Sequence, residues 1–357
     1  MRASATRRCC APPPSEPEES CVVERVSVSR ARLRAVLSAS LVALGLLGAA
    51  TVPAAAQARV KVLLDWAWLP YHAPFLIAEE RGFYREAGLA VSLEQGRGSA
   101  TTALLLSQGG FDIAHLNITN ATQMIGRGGS IRIIGLYQHR TAAAFIGIRG
   151  RVKLDGPRSL RGLKIGSTPG GSDALSLRIF MRANGMGPTD LNVVSLDSNA
   201  KTTALFGGSI DVVSGDSPAF DAYVRATGQQ PETLQLADAG VPLLGFGFAA
   251  NTAFLGRNPE LVRQFLAASR RGFVEAARDP QAACELIRTK VHLAGTVERC
   301  VDYFKGLMAL STAPTDPGWG RMSEAEWNQL VRTLQAVGEL PADVQAAQYY
   351  TNDFVPQ

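Results

Sequence analysis

The run Gln108-Gly109-Gly110-Phe111-Asp112 has a counterpart further along the chain, Gly207-Gly208-Ser209-Ile210-Asp211. In both, a glycine pair ends a helical segment and an apolar residue then opens a strand. The elements around each copy follow one order. The first reads strand 59–64, helix 73–87 capped by Gly88, strand 91–94, helix 101–107 and a strand from Phe111 that stops at Asn117. The second reads strand 163–165, loop 167–173, helix 174–184, a strand from Val193, helix 201–206 and strand 210–213. Strands separated by helices imply largely parallel sheets with helices on both faces, and ligand-facing loops at the carboxyl ends of the strands. The expected fold is therefore α/β, with two Rossmann-like lobes. Segments 142–148 and 246–250 read as crossover strands, and two crossings make a hinge. Four further helices, 259–278, 280–289, 296–310 and 324–337, are expected as additions to the first lobe. The expected boundaries are 59–146 for the first part of lobe 1, 147–245 for lobe 2 and 246–357 for the return to lobe 1.

Composition narrows the function. The net charge is +5, yet residues 1–58 hold seven Arg and four Glu, leaving 29 basic against 27 acidic residues in the remainder. No basic block interleaved with aromatics is found there, so nucleic acid is not an expected partner. Arg30, Arg32 and Arg34 precede an apolar stretch over 35–50 and the small-residue run Ala54-Ala55-Ala56-Gln57-Ala58, which is the pattern of an export signal cleaved after Ala58. About 16 apolar residues fall short of the about 20 that span a bilayer, which favours cleavage over a retained anchor. The expected location is periplasmic or otherwise extracytoplasmic. Beyond this segment only Cys284 and Cys300 remain, and one disulfide or two buried thiols fit them equally. With no nearby His pair they give zinc no ligand set.

Four blocks carry a resemblance: Leu64-Asp65-Trp66 with Pro70-Tyr71-His72; Ala78-Glu79-Glu80-Arg81-Gly82-Phe83-Tyr84-Arg85-Glu86-Ala87-Gly88-Leu89; Leu160-Arg161-Gly162-Leu163-Lys164-Ile165-Gly166; and Ala249-Ala250-Asn251-Thr252-Ala253-Phe254 followed by Asn258-Pro259-Glu260. Together the chain resembles the solute-binding proteins of ABC importers, in the superfamily that includes binders of pyrimidine precursors, alkanesulfonates, taurine and nitrate. The resemblance spans nearly all of the chain after residue 58. It implies the two-lobed periplasmic binding protein fold of type II, capture of a small organic molecule between the lobes, and an ABC permease in the inner membrane as partner. No cofactor is expected, and a monomer is the default. The Leu-Asp-Trp opening and the Tyr-His pair are most similar to the branch that binds pyrimidine precursors of thiamine and related ring compounds.

That branch also contains a fungal-type synthase, which makes the thiamine pyrimidine from its own histidine and a lysine-bound pyridoxal phosphate, with iron. Where the synthase pattern has its lysine and histidine, this chain has Leu116 and Asn120, and no Cys stands near 241–244 where the synthase has a cysteine cluster. A Schiff base needs an amine and iron needs ligands, so the chain is expected not to be an enzyme. His72, His115, His139 and His292 are scattered in the sequence and suggest no nucleophile with an orienting base. The alternatives are a sulfonate, taurine or nitrate binder of the same superfamily, a synthase-like enzyme, which the replacements above disfavour, and a sensor that passes its closed state to a membrane kinase.

Candidate ligand contacts follow from the loops, and each has an ordinary reading beside it. Trp66 offers an indole face to a flat ring, or packs the lobes. Tyr71 and His72 offer a hydroxyl and an imidazole to polar ligand edges, or hold local structure. Ser99, and the loop with Thr168, Gly170, Gly171 and Ser172, lie where strands become helices, where backbone N–H groups suit an anionic or carbonyl oxygen or simply begin a helix. Asn117 and Thr119 follow the third strand, and Asp216 holds the equivalent place in the second lobe. An acid facing the cleft favours ligand N–H groups over nitrate or a sulfonate, unless it caps a helix. No metal is assigned to His72.

Overall fold

The computed structural model describes residues 57–356, so the expected export signal lies outside the described residues except for Gln57 and Ala58. The strands are β1 (Ala58–Leu63), β2 (Leu89–Glu94), β3 (Ile113–Asn117), β4 (Ile131–Leu136), β5 (Ala143–Ile148), β6 (Lys164–Ser167), β7 (Asn192–Ser195), β8 (Val212–Asp216), β9 (Pro231–Gln235) and β10 (Phe246–Asn251). Between β1 and β4 lie helices α1 (Ala73–Glu80), α2 (Phe83–Glu86), α3 (Ser99–Ser107) and α4 (Ile118–Gly126). Between β6 and β9 lie α5 (Ser172–Ala183), α6 (Ser198–Phe206) and α7 (Ser217–Ala226). After β10 come α8 (Thr252–Arg257), α9 (Pro259–Arg278), α10 (Pro280–Val291), α11 (Val297–Met308) and α12 (Glu324–Ala336).

These strands form two five-stranded sheets, ordered β2-β1-β3-β10-β4 and β7-β6-β8-β5-β9. In each, four strands point the same way and the crossover strand alone is reversed: β10 between β3 and β4, β5 between β8 and β9. Helices cover both faces, so the inner strands are shielded from solvent; all five residues of β3 and all six of β5 are buried. The two lobes expected from the repeat, and the periplasmic binding protein architecture implied by the resemblance, are what these sheets form.

Several local expectations need correcting. The cleavage point placed after Ala58 would remove a paired residue, because Ala58 is in register with Leu89 and its N–H donates to the Gly88 carbonyl. The lobe boundary placed after residue 146 falls inside β5, which pairs wholly within the second sheet. The single helix over 73–87 is two, because the chain turns left-handed at Gly82. β9, α4 and α7 were not foreseen; β9 begins at Pro231 and lies at a sheet edge, where a missing N–H costs no ladder bond.

The C-terminal helices do not belong to the first lobe alone. α9 and α10 pack on α1, but α11 lies on α7 of the second lobe, where Arg225 donates to both oxygens of Asp302 at 3.0 and 3.1 Å. Beyond α12, the Glu339 carboxylate accepts from Arg178 (2.7 Å) and Arg182 (2.8 Å) of α5 and from Gln123 of α4. Cys284 and Cys300 form a disulfide between α10 and α11. An amphipathic helix announces its apolar face in sequence, not which lobe will cover it.

Candidate functional site

The loops after β1 and β6, the end of β8 and the start of β10 enclose a cleft of about 250 Å³. Beside it the lobes touch backbone to backbone. Gly98 has a φ of 125°, and a Cβ there would collide with the carbonyl oxygen of Gly170, so the contact requires glycine.

On the first lobe the floor is Asp65, buried just beyond β1. Tyr71 Oη donates to its Oδ2 at 2.7 Å, and His72 Nε2 and His115 Nδ1 approach its Oδ1 at 2.9 and 3.0 Å. The Leu69 N–H donates to His72 Nδ1 (3.1 Å), which leaves the ring proton on Nε2, facing the carboxylate. His115 Nε2 lies 2.7 Å from the Tyr137 hydroxyl, which donates when Nδ1 carries the proton. The pattern fits a neutral His72 imidazole beside an ionised Asp65. Burial, the largest influence on Asp65, pushes its carboxyl up, but the bonds from His115 and His72 more than offset it and hold it well below the usual range. Burial likewise pushes His72 below its ordinary value, against the pull of Asp65, which keeps it neutral.

The second lobe is built differently. After β6 the chain turns through the loop ahead of α5, where Asp173 Oδ2 accepts from the Thr168 N–H (2.8 Å), the Ser167 hydroxyl (3.2 Å) and Lys201 Nζ (3.0 Å). Lys201 is buried, donates also to the Ser214 carbonyl (3.0 Å), and sits 5.4 Å from the Phe220 ring centre. Two polar groups here are uncommitted. Thr168 Oγ1 is buried with no hydrogen-bond partner, and the Asp216 side chain makes no cap bond although it stands at the N-cap of α7. Desolvation, helped by Asp65 and Asp173 and opposed by Lys201, raises the Asp216 carboxyl to about 7.

Aromatic rings wall the space: Trp66, Trp68 and Tyr71 from the first lobe, Phe220 and Tyr223 from the second, Phe246 from β10 and Tyr303 from α11. Tyr71 is stacked on Phe246 at 5.1 Å and meets Tyr303 edge-on at 5.9 Å. The connector between α10 and α11, with Leu293 and Ala294, and the first turn of α11, with Arg299, complete the rim.

The NMT1/THI5-like family model matches residues 69–283, more than half of the chain. The chain belongs to the NMT1/THI5-like family. Among curated relatives, riboflavin-binding protein RibY of Chloroflexus aurantiacus is 25% identical over 319 residues, covering 86% of this chain and 90% of RibY. The 4-amino-5-hydroxymethyl-2-methylpyrimidine phosphate synthase of Aspergillus parasiticus is 25% identical over 315 residues, covering 83% and 87%. In solved structures the periplasmic aliphatic sulphonate binding protein SsuA of Escherichia coli superimposes with a TM-score of 0.64 at 13% identity, covering 83% of this chain and 98% of SsuA. The last match speaks for the fold alone.

Against this NMT1/THI5-like frame, Trp66, Tyr71, Ser99, Thr168, Gly171, Ser172 and Asp216 line the cleft. Four expected residues do not. His72 is fully buried behind Tyr71 and bonded at both nitrogens. Asn117 caps α4 through the Thr119 N–H, and its own N–H donates to Ser99 Oγ. Thr119 Oγ1 donates to the Leu244 carbonyl, and Gly170 forms the contact with Gly98. Asp65, Trp68, Asp173, Lys201, Phe220, Tyr223, Phe246, Arg299 and Tyr303 were not foreseen. Asp65 stands inside the Leu-Asp-Trp block and Asp173 ends the glycine-bearing loop, whereas nothing local marks Lys201 or Arg299. The synthase positions, Leu116 and Asn120, are buried and outside the cleft lining.

His115 was read as remote from His72, yet the pairing of β1 with β3 brings both to Asp65, with ligand-type atoms all within 4.8 Å of one another. A metal does not fit His72. Were Nε2 to offer its lone pair to an ion, Nδ1 would carry the proton and face the Leu69 N–H, donor against donor at 3.1 Å.

Proposed function

We propose that this chain is the extracytoplasmic solute-binding component of an ABC importer, and that its solute is a planar, amino-substituted heterocycle of the pyrimidine-precursor or flavin kind. The observation that carries the reading is the pairing of aromatic walls with an uncommitted acidic acceptor. Flat rings stack on Trp and Tyr faces with little loss of side-chain entropy, and Asp216 offers a carboxylate to ring or exocyclic N–H groups. A sulfonate or nitrate would meet two carboxylates, Asp65 and Asp216, while the ammonium of Lys201 is already paired with Asp173. Thr168 Oγ1 and the first turn of α5 supply donors for a ring carbonyl.

In this reading the solute leaves unchanged. Lys201 is held as half of an ion pair, and neither Leu116 nor Asn120 offers an amine or imidazole. The Cys284–Cys300 bond supports an oxidising compartment outside the cytoplasm. Closure on the solute would present a surface to the permease, as differential affinity for the closed form requires.

The test is a thermal-shift panel of riboflavin, 4-amino-5-hydroxymethyl-2-methylpyrimidine, an alkanesulfonate and nitrate, followed by recovery of the bound compound. A binder raises the melting temperature by mass action. The expected result is a rise with a heterocycle and its recovery intact. A rise with nitrate or the sulfonate alone, or a chemically altered product, would overturn the reading.

A further inference from the structure

The charges around the cleft are segregated. Asp65, buried, and Asp216, half-buried at the end of β8, line the cleft, and Lys201 is neutralised there by Asp173. The other cation in the lining is Arg299, which contacts both the main cleft and a small adjoining pocket with Leu69, Pro70 and Thr296. Its surroundings place it towards the outside, since Ala294 and Thr296 are exposed.

Three features fix the Arg299 guanidinium in place. Its Nη2 donates to the Ala294 carbonyl at 2.8 Å, and its centre lies 4.9 Å from the Tyr223 ring centre. It also lies over Gly295, at a φ of 103°, where any Cβ would collide with it. Among the described residues no carboxylate stands within ion-pair distance of it. Glu298, next in the chain, is exposed and bonded towards Thr296 and its own backbone. The position is also unusual for an arginine. It lies in the first turn of α11, where the helix dipole already disfavours a cation, so the two positive potentials add. A rigid guanidinium with four free N–H donors and no acidic partner is prepared for a planar or tetrahedral oxyanion.

We propose that Arg299 is a specificity-determining residue that binds an oxyanion, of the phosphate or carboxylate class, carried by the outward end of the ligand. The inference rests on the heterocycle reading above and orients the molecule: N–H edge inward at Asp216, anionic end outward at the α10–α11 connector. The acidic interior and the basic rim then select one compound for both ends. A simple anion satisfies only the rim.

The test compares two pairs by calorimetry: riboflavin against riboflavin 5′-phosphate, and 4-amino-5-hydroxymethyl-2-methylpyrimidine against its phosphate. Each is measured with the wild-type chain, Arg299→Lys and Arg299→Gln. In one pair the phosphorylated member is expected to bind about tenfold tighter to wild type, with the preference reduced in Arg299→Lys and close to one in Arg299→Gln. A purely structural role, bracing α11 on Tyr223, would weaken both members alike and leave the ratio standing, which would overturn the proposal. So would the absence of any preference in wild type. Should neither pair bind, the heterocycle reading fails by itself, and inorganic phosphate decides about Arg299. A phosphate-dependent rise in Tm present in wild type and lost in Arg299→Gln upholds the site, and equal behaviour of the two proteins overturns it.

Discussion

The two lobes share a plan and furnish the cleft with opposite kinds of surface. On the first lobe the polar atoms are bonded to one another: Asp65 to Tyr71, His72 and His115, His115 to Tyr137, and His72 to the Leu69 N–H. On the second, Thr168 Oγ1 has no partner and Asp216 caps nothing. A donor or acceptor already satisfied inside the protein gains little from a ligand, whereas an unsatisfied one gains its full desolvated bond. Equivalent loops thus do different work. In the proposed reading the first lobe presents an aromatic surface of fixed shape, and the second would bond the polar edge of a solute lying on it.

The difference can be broken most forcefully at Asp65. Asp65→Ala is expected to cost on the order of 3 kcal/mol in urea denaturation, because three buried donors lose their acceptor, while Asp216→Ala stays within about 1 kcal/mol of wild type. Equal losses would erase the distinction between the lobes. Next comes Trp66→Ala, which should weaken the true ligand at least about tenfold by calorimetry while the melting temperature of the free protein holds.

Asp216→Asn sharpens the contrast from the other side, with a loss of about tenfold at pH 8. The wild-type carboxyl, raised to about 7, is ionised above that pH and protonated below it. Affinity for an N–H-donating ligand should therefore decline as pH falls through about 7, and the variant should show no such step. The smallest effect belongs to His72, whose value in the fold is lowered. As pH falls through about 6.5 the unfolded chain takes up a proton that the folded chain refuses, so stability should decrease on acidification in this window. Asp216 acts in the opposite sense between about 7 and 4, so melting temperature against pH is best followed in the Asp216→Asn background.

The fold was legible because its signals are local and repeated. Glycine pairs ending helices, and apolar runs set between polar loops, located most of the strands, including both crossover strands. The site was legible only in part. Trp66 and Asp216 follow strand ends, and strand ends in such a sheet point at the ligand whatever surrounds them. His72 and Asn117 satisfied the same rule and are absent from the lining, because their side chains found partners, Asp65 in one case and the Thr119 N–H in the other, that no spacing in the sequence reveals. His115, Lys201 and Arg299 were missed for the complementary reason. Strand pairing, helix packing and the crossing of α11 onto α7 bring them to the site from distant stretches of chain.

Where Gly98 meets Gly170 the jaws of this protein come together with space for a hydrogen atom and no more. Any other residue at position 98 would set a wedge at least one carbon thick between the two lobes. If the chain closes on a solute as proposed, the completeness of that closure depends on the carbon that Gly98 lacks.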